Sequence, residues 1–492
     1  MVAKDYSMLF NSVAFVFLFF PVVFLLYSGI DRLRFKRKNE VLNFLLVAFS
    51  LVFYCWGGIK PLWGLLVLIA WNYGMGLLSA LFSPRQDEPR ASRAKKLVLM
   101  TGIVGNVAFF FYFKLFGACI SLFNELFHTG FSIDKIVIPI GFSFILFQCI
   151  SYLLDIWSGK VKPNRNLLDF ALYVVFFPKL MQGPIVKYQD MQPYLRNRHT
   201  GFPDVVAGLE RFIVGLAKKV LLADTLGVTV SSIFSQTYAG MDPATAWLGS
   251  ILFTLQIYLD FSGYSDMALG IARCFGFRFA ENFDFPYSST SVSEFWRRWH
   301  ISLGAWFREY LYIPLGGSRK GNVYFNLFVV FLVTGLWHGS TLPYILWGIC
   351  HGLCVMMEKF LMKRGLYGKI PVFIRWFYVM FVVNLGWVVF QTSTWDMFKE
   401  YVKRMLGVGF DASTLSFSFP YFLTPRVLAL AGLSILLMVV LRDERVQGRL
   451  RAWNERSAVF VLCKYVVLLA LFAVSVFGIV SSSYAPFLYF QF

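Results

Sequence analysis

The run VYFNLFVVFLVTGLWHGS, residues 323–340, decides the fold class, because it is apolar for nearly its whole length. After one residue, LPYILWGICHGLCVMMEKFLM (342–362) repeats the pattern. About 20 apolar residues are what a helix needs to cross roughly 30 Å of hydrocarbon. The rest of the 492-residue chain has the same character, with 58% hydrophobic and only 15% charged residues. A soluble domain has about a quarter of its residues charged. The sequence therefore predicts an all-α polytopic membrane protein.

Working outward, apolar runs lie upstream at about 8–29, 41–59, 61–82, 97–116, 136–157, 205–226 and 246–273, and downstream at about 376–392, 421–441 and 458–480. With the two quoted runs this gives roughly twelve predicted spans in one membrane-embedded domain, 1–492. The run at 205–226 is the poorest of them, since Lys218 and Lys219 sit inside it. The first run is too long for a signal peptide and lacks a small-residue cleavage pattern, so it is expected to remain as a span.

Charge placement sets the expected orientation. Arg32, Arg34, Lys36, Arg37 and Lys38 follow the first run, and Arg85, Arg90, Arg93, Lys95 and Lys96 follow the third. Lys160, Lys162 and Arg165 follow the fifth, whereas the alternate connections at Lys60-Pro61 and 117–135 are poor in basic residues. That alternation is the positive-inside pattern of a chain whose N-terminus lies outside. Arg319-Lys320, Lys363-Arg364-Lys369 and Arg442 through Arg456 fall on the same inner side, which puts both termini outside. The net charge of +19 is thus a property of loops between spans, and no nucleic-acid surface is expected.

Two stretches break the pattern. Residues 167–181 are apolar but short, carry Pro178 and have basic loops on both sides, as expected of a segment that dips in and returns. Such backbone is tolerated at depth only where protein or water covers it. Residues 294–313 place Phe295, Trp299, Leu303 and Trp306 at helical spacing on one face, with Arg297, Arg298, Arg308 and Glu309 elsewhere. A basic, aromatic helix of this kind lies in the membrane interface or walls a cavity, and for most of its residues the interfacial role is expected.

The chain has five His and seven Cys. The cysteines show neither CxxC pairs nor zinc spacing, and no metal or bound cofactor is indicated. Cys350 and Cys354 share a helix face with His351 nearby, as packing residues more often than as ligands. His128 and His199 fall in predicted loops. His338 differs. If its span begins near Val323, it sits about 22 Å along the helix, past the bilayer midplane. Ionisable groups at that depth face a protein interior or a wet cavity. A buried imidazole tends to be neutral and can act as a general base. The same depth also suits a core histidine bonded to a neighbouring helix, and the residues alone leave both readings open. Gly335 and Gly339 would let another helix or a substrate approach closely.

Longer motifs add a resemblance. FWRRWHISLGAWFREYLYIPLGGSRKG (295–321), NLFVVFLVTGLWHG (326–339) and WGICHG (347–352) are similar to the membrane-bound O-acyltransferase superfamily. YIPLGG (312–317), FPKLMQGPIVKYQDM (177–191), YLDFSGYSDMALGIARCFG (258–276) and NFDFPYSS (282–289) resemble its bacterial alginate O-acetylation branch, as do MLFNSVAFVFLFFP (8–21) and FLYFQF (487–492). The resemblance implies a ring of roughly twelve helices with re-entrant and interfacial segments around a tunnel, its catalytic region at about 136–392. It maps the family's invariant His onto His338 and a second polar position onto His300. It also implies a cytoplasmic acyl thioester donor such as acetyl-CoA, a polysaccharide acceptor, an extracytoplasmic SGNH-type partner and residence in the bacterial cytoplasmic (inner) membrane.

Arg297, Arg298, Arg319 and Lys320 are expected either to pair with donor phosphates or to serve as ordinary positive-inside charges. The tail 481–492 resembles the C-terminal motif of the small peptide that partners teichoic-acid D-alanylating members. By that likeness Tyr489 is a candidate acyl carrier, with an interfacial aromatic anchor as the alternative. Two other functions compete: transfer to teichoic acid or peptidoglycan, and, from a different class, transport. A transporter needs coupling-ion carboxylates in mid-span, for which Asp155, Asp260 and Asp266 are the candidates.

Overall fold

The computed structural model describes residues 8–56, 58–82, 93–132, 141–392, 394–415, 417–481 and 488. Among them all regular structure is helical. Among the described residues eight helices are long and apolar enough to cross a membrane: Phe15–Arg32, Lys38–Cys55, Lys60–Leu81, Arg93–Phe127, Pro243–Cys274, Leu342–Lys363, Val372–Gln391 and Ala458–Ser481. Pro425–Val440 meets the arginine-rich helix Glu444–Arg456 at an 86° bend, and this pair makes a ninth span if it is counted as one. The chain is a multi-pass membrane protein.

The expected runs and the helices differ in instructive ways. Phe142–Trp157 and Val323–His338 are apolar but have only 16 residues each. The run at 97–116 belongs to a helix that continues to Phe127, through a π turn at Phe111–Leu115. The run at 205–226 lies on helical backbone from Phe202 to Phe234, with a π turn at Lys218–Ala223. The stretch 294–313 is not one helix. It forms Val292–Arg298 and Ile301–Phe307, with Trp299 and His300 between them.

Two compact units divide the chain. One runs to Phe212 and takes in Met267–Ala280; the other comprises Ile213–Asp266 and everything from Glu281 onward.

In the first unit Phe15, Phe19, Phe53 and Phe177 pack ring against ring. Several polar side chains inside this apolar unit are paired across helices, as a hydrocarbon surround favours. Asn72 and Asn106 exchange side-chain hydrogen bonds of 3.0 and 2.7 Å between two spans. Arg198 donates to Tyr27 at 2.7 Å and to Asn43 at 2.6 Å, and Asn43 donates to Asp169 at 2.9 Å. The segment 167–181 breaks at Phe176, and the short helix Phe177–Leu180 follows. The break is fully buried, and the Phe177 N–H that it frees donates to Ser50 Oγ at 3.1 Å. The Lys179 ammonium is buried there and donates to Gln148 and to the Tyr173 carbonyl.

The second unit holds most of the 32-residue helix Pro243–Cys274, up to Asp266, and a core of Trp299, Trp347, Trp387 and Phe390 with aliphatic neighbours. Val323–His338 and Leu342–Lys363 form a tight helical hairpin. A Cβ on Gly348 would meet the Phe331 carbonyl oxygen at 2.4 Å, and one on Gly335 would meet the Tyr344 carbonyl oxygen at 2.6 Å. Only glycine lets the two backbones approach this closely, which is how small residues weld helices in lipid.

Candidate active site

Two short helices and one side-chain network aim His300. The helix Val292–Arg298 begins on Ser291, whose Oγ accepts from the Glu294 N–H at 2.9 Å. Its next amide donors end on a buried carboxylate from a spanning helix: Glu358 accepts from the Val292 and Ser293 N–H groups, and from Ser293 Oγ at 2.7 Å. A carboxylate at a helix N-terminus satisfies orphan donors and complements the helix dipole. Glu358 thereby ties this helix to Leu342–Lys363.

The chain then turns. His300 takes a left-handed conformation, with φ +45° and ψ 55°. A non-glycine residue held there marks a constrained position, often a functional one. The kink separates the two halves of the aromatic stripe and turns both inward, so Phe295, Trp299, Leu303 and Trp306 are all buried. The aromatic face of this segment therefore packs against protein, and Trp296, Trp299 and Leu303 wall a cavity, the second role expected of such a helix. Exposure is confined to other positions, including Arg297 and Arg308.

Asn282 fixes the His300 ring. Its Nδ2 donates to Ser265 Oγ at 3.2 Å, so its Oδ1 faces His300 Nδ1, also at 3.2 Å. Ser302 holds that oxygen with its Oγ at 2.8 Å and its N–H at 3.2 Å. An amide oxygen only accepts, so Nδ1 carries the proton and Nε2 is the basic nitrogen. Burial pushes the ring down to about 3, which keeps it neutral.

His338 is the last residue of Val323–His338, where the helix opens into the extended Gly339. That helix starts at Val323, the residue from which the depth of His338 was reckoned. The ring is half-buried. Phe390 and Trp347 meet its faces edge-on at 4.9 and 5.0 Å.

His300 and His338 line one cavity of about 30 Å³, with Asp260, Phe261, Trp296, Trp299, Trp387, Phe390 and Leu488 also in its wall. That is space for about one water molecule. The cavity thus joins two imidazoles, one buried carboxylate and an aromatic wall. This constellation suits proton transfer at a hydroxyl, with water largely excluded.

Residues 162–391 match the model of the membrane-bound O-acyltransferase family. The chain is 36% identical to a probable alginate O-acetylase of Pseudomonas putida, over 99% of this chain and 100% of that one. The chain belongs to the membrane-bound O-acyltransferase family. A peptidoglycan O-acetyltransferase of Helicobacter pylori is 33% identical over 83% of this chain and 81% of its own. A teichoic acid D-alanyltransferase of Bacillus subtilis is 24% identical over 46% of this chain and 60% of its own. The protein is a membrane-bound O-acyltransferase, and acyl transfer is its chemistry.

Against that family frame the sequence-predicted residues separate. His300 and His338, far apart in sequence, share the cavity. Arg298 is committed elsewhere, to Glu294 at 3.0 Å and Asp284 at 2.9 Å. Arg297, Arg319 and Lys320 are exposed. Tyr489 lies outside the described residues, but its neighbour Leu488 is buried in the cavity wall. His351 is buried and accepts from Trp296 Nε1 at 3.3 Å, a packing role. His128 and His199 are exposed.

The carboxylates that a transporter would use are held by lysines. Asp155 faces Lys160 at 3.8 Å, Asp266 pairs with Lys218 at 2.6 Å, and Asp260 pairs with Lys219 at 2.5 Å. Sequence reasoning missed Asn282, Glu358 and the Lys219–Asp260 pair as parts of the site. One signal was present: two lysines inside an apolar helix require buried acidic partners.

Proposed function

We propose that this protein moves an acetyl group from a cytoplasmic thioester, such as acetyl-CoA, toward an extracytoplasmic polysaccharide. It would act in the bacterial inner membrane with both termini outside. The observation that carries this reading is the shared cavity of His300 and His338, with Leu488 in its wall.

In the proposed step, the thioester carbonyl enters the cavity from the cytoplasmic side. A neutral His338 takes the proton from an acceptor hydroxyl on the outer side, and the hydroxyl oxygen bonds to the carbonyl carbon. The carbon–sulfur bond breaks, and the thiolate leaves with the proton that the imidazole returns. His300, held neutral with Nε2 basic, orients the thioester or the attacking group; Nε2 has no proton to give an oxyanion.

Tyr489 follows the buried Leu488 directly, so its phenol is the acceptor hydroxyl we assign to the first transfer. An extracytoplasmic SGNH-type partner would then pass the acetyl group to the polymer. The probable alginate O-acetylase likeness favours an exopolysaccharide as final acceptor. The likeness to a peptidoglycan O-acetyltransferase supports a second reading, in which the cell-wall glycan is acetylated by the same chemistry. Arg297, Arg319 and Lys320 are the exposed cations proposed to meet donor phosphates.

The test is polymer O-acetylation by membranes carrying His338→Ala. Loss of a general base costs about 10²–10⁴-fold. An unchanged rate would remove His338 from the chemistry. Intact mass after incubation with labelled donor should place one acetyl on the wild-type tail and none on Tyr489→Phe.

A further inference from the structure

The cavity contains a buried carboxylate that the transfer step does not use. Asp260 is 2% exposed, and its two oxygens have different partners. Oδ1 takes Lys219 Nζ at 2.5 Å, and Oδ2 accepts the backbone N–H of Leu488 at 2.9 Å. Lys219 is 1% exposed and also reaches Asp224 at 2.7 Å, so the carboxylate is held from behind by a buried ion pair. Leu488 lies 228 positions further along the chain and is 8% exposed, with its side chain in the wall beside both histidines.

A buried charge is retained at a cost and needs a partner for every lone pair it exposes. Lys219 satisfies one side of Asp260. The other side faces a cavity whose remaining wall is apolar or imidazole, and there it reads a backbone amide. A carboxylate that grips a main-chain N–H selects a strand of peptide by its backbone rather than by its side chain. The wall provides the matching apolar seat for one aliphatic side chain, in Ile257, Phe261 and Trp387.

We propose that Asp260 is a docking point for the chain's own C-terminal segment through Leu488, and that Lys219 is the positioning residue that holds Asp260 aimed. Leu488 is then an internal ligand of the histidine cavity, registered by one hydrogen bond. Docking itself needs no assumption about the reaction. Its consequence, that the register of the tail sets the transfer rate, rests on the acyl-transfer reading above.

Hydrogen exchange followed by fragment-resolved mass spectrometry on the full-length protein reads the docking directly. The Leu488 amide should exchange about tenfold or more slowly than an unprotected amide, and Asp260→Asn should release that protection. A freely exchanging Leu488 amide in the wild-type protein would overturn the proposal. So would full protection in an Asp260→Asn protein whose spanning helices remain protected.

A second pair of variants touches only the tail, where misfolding is not at issue. Leu488→Pro removes the N–H, whereas Leu488→Ala keeps it and trims the side chain. Polymer acetylation should fall about tenfold or more in the Pro variant, and by a clearly smaller factor in the Ala variant, which loses side-chain contact but keeps the N–H that Asp260 accepts. Equal rates in the two would overturn the positioning role. Protection at Leu488 together with full activity of His338→Ala would instead leave the docking standing and sink the reading of the reaction.

Discussion

Oδ1 of Asn282 lies 3.2 Å from Nδ1 of His300, and that contact decides which ring nitrogen is basic. The Ser302 backbone N–H can only donate, so it pins the amide oxygen on this side and leaves the amide nitrogen to Ser265. Asn282→Ala would free the ring to change tautomer and leave the Ser302 hydroxyl without its acceptor. Acyl transfer should fall about tenfold or more, the kinetic equivalent of one lost alignment bond. Thermal stability should fall only slightly. Unchanged kinetics in the Ala variant would show that the tautomer of His300 does not matter.

Burial of His300 has a consequence for stability against pH. Its ordinary value is 6.5 and the folded value is about 3. Between these limits the unfolded chain takes up a proton that the folded ring refuses. Stability is therefore complete above pH 6.5 and declines as the pH falls toward 3. The thermal midpoint in detergent should drop more steeply between about pH 7 and pH 4.5 for wild type than for His300→Asn. Parallel slopes would mean that the folded ring is protonated where it stands.

The hairpin that presents His338 should be intolerant of one methyl group. A Cβ at Gly348 would sit 2.4 Å from the Phe331 carbonyl oxygen and 3.1 Å from Gly335 Cα, both parts of backbone that cannot swing aside. Gly348→Ala must part the two helices, at about 1–3 kcal/mol for overpacking. The expected result is a lower thermal midpoint with reduced transfer, since His338 ends one of those helices. Gly432→Ala is the control, because nothing lies within 4 Å of a Cβ there. Equal behaviour of the two variants would mean that the close approach is not required.

Much of this was legible in the chain itself. Apolar length gave the membrane class, and the helix that carries His338 does begin at Val323. The Gly335 and Gly339 spacing anticipated a close helix partner, although Gly348 on the facing helix could not be paired with it by spacing alone. The kink at His300 was not legible. Phe295, Trp299, Leu303 and Trp306 fit a single helical face, and periodicity cannot register a single residue with positive φ. Nor could it pair Glu358 with Ser293, or Asp260 with Lys219, since such bonds join positions 65 and 41 residues apart. Side-chain bonds over those separations are fixed by tertiary packing. Their only trace in the sequence is a charge where hydrocarbon is expected.

That trace supports one more prediction, on Lys219. Its ammonium is 1% exposed and lies 2.5 Å from Asp260 and 2.7 Å from Asp224. Lys219→Met keeps an apolar stem of similar length but strands the buried Asp260 and deprives the half-buried Asp224 of its partner. Removing one partner of a buried pair costs about 3–5 kcal/mol, because the remaining charge has neither water nor a counter-ion. The variant should lose thermal stability heavily at neutral pH. It should recover part of the loss in mild acid, where the stranded carboxylates can take up protons. Lys219→Met/Asp260→Leu removes both charges of the closest pair and should be more stable than the single variant. It should nevertheless remain poor in acyl transfer, because the Leu488 amide has lost its acceptor. A double variant no more stable than Lys219→Met would show that Asp260 and Lys219 do not depend on each other.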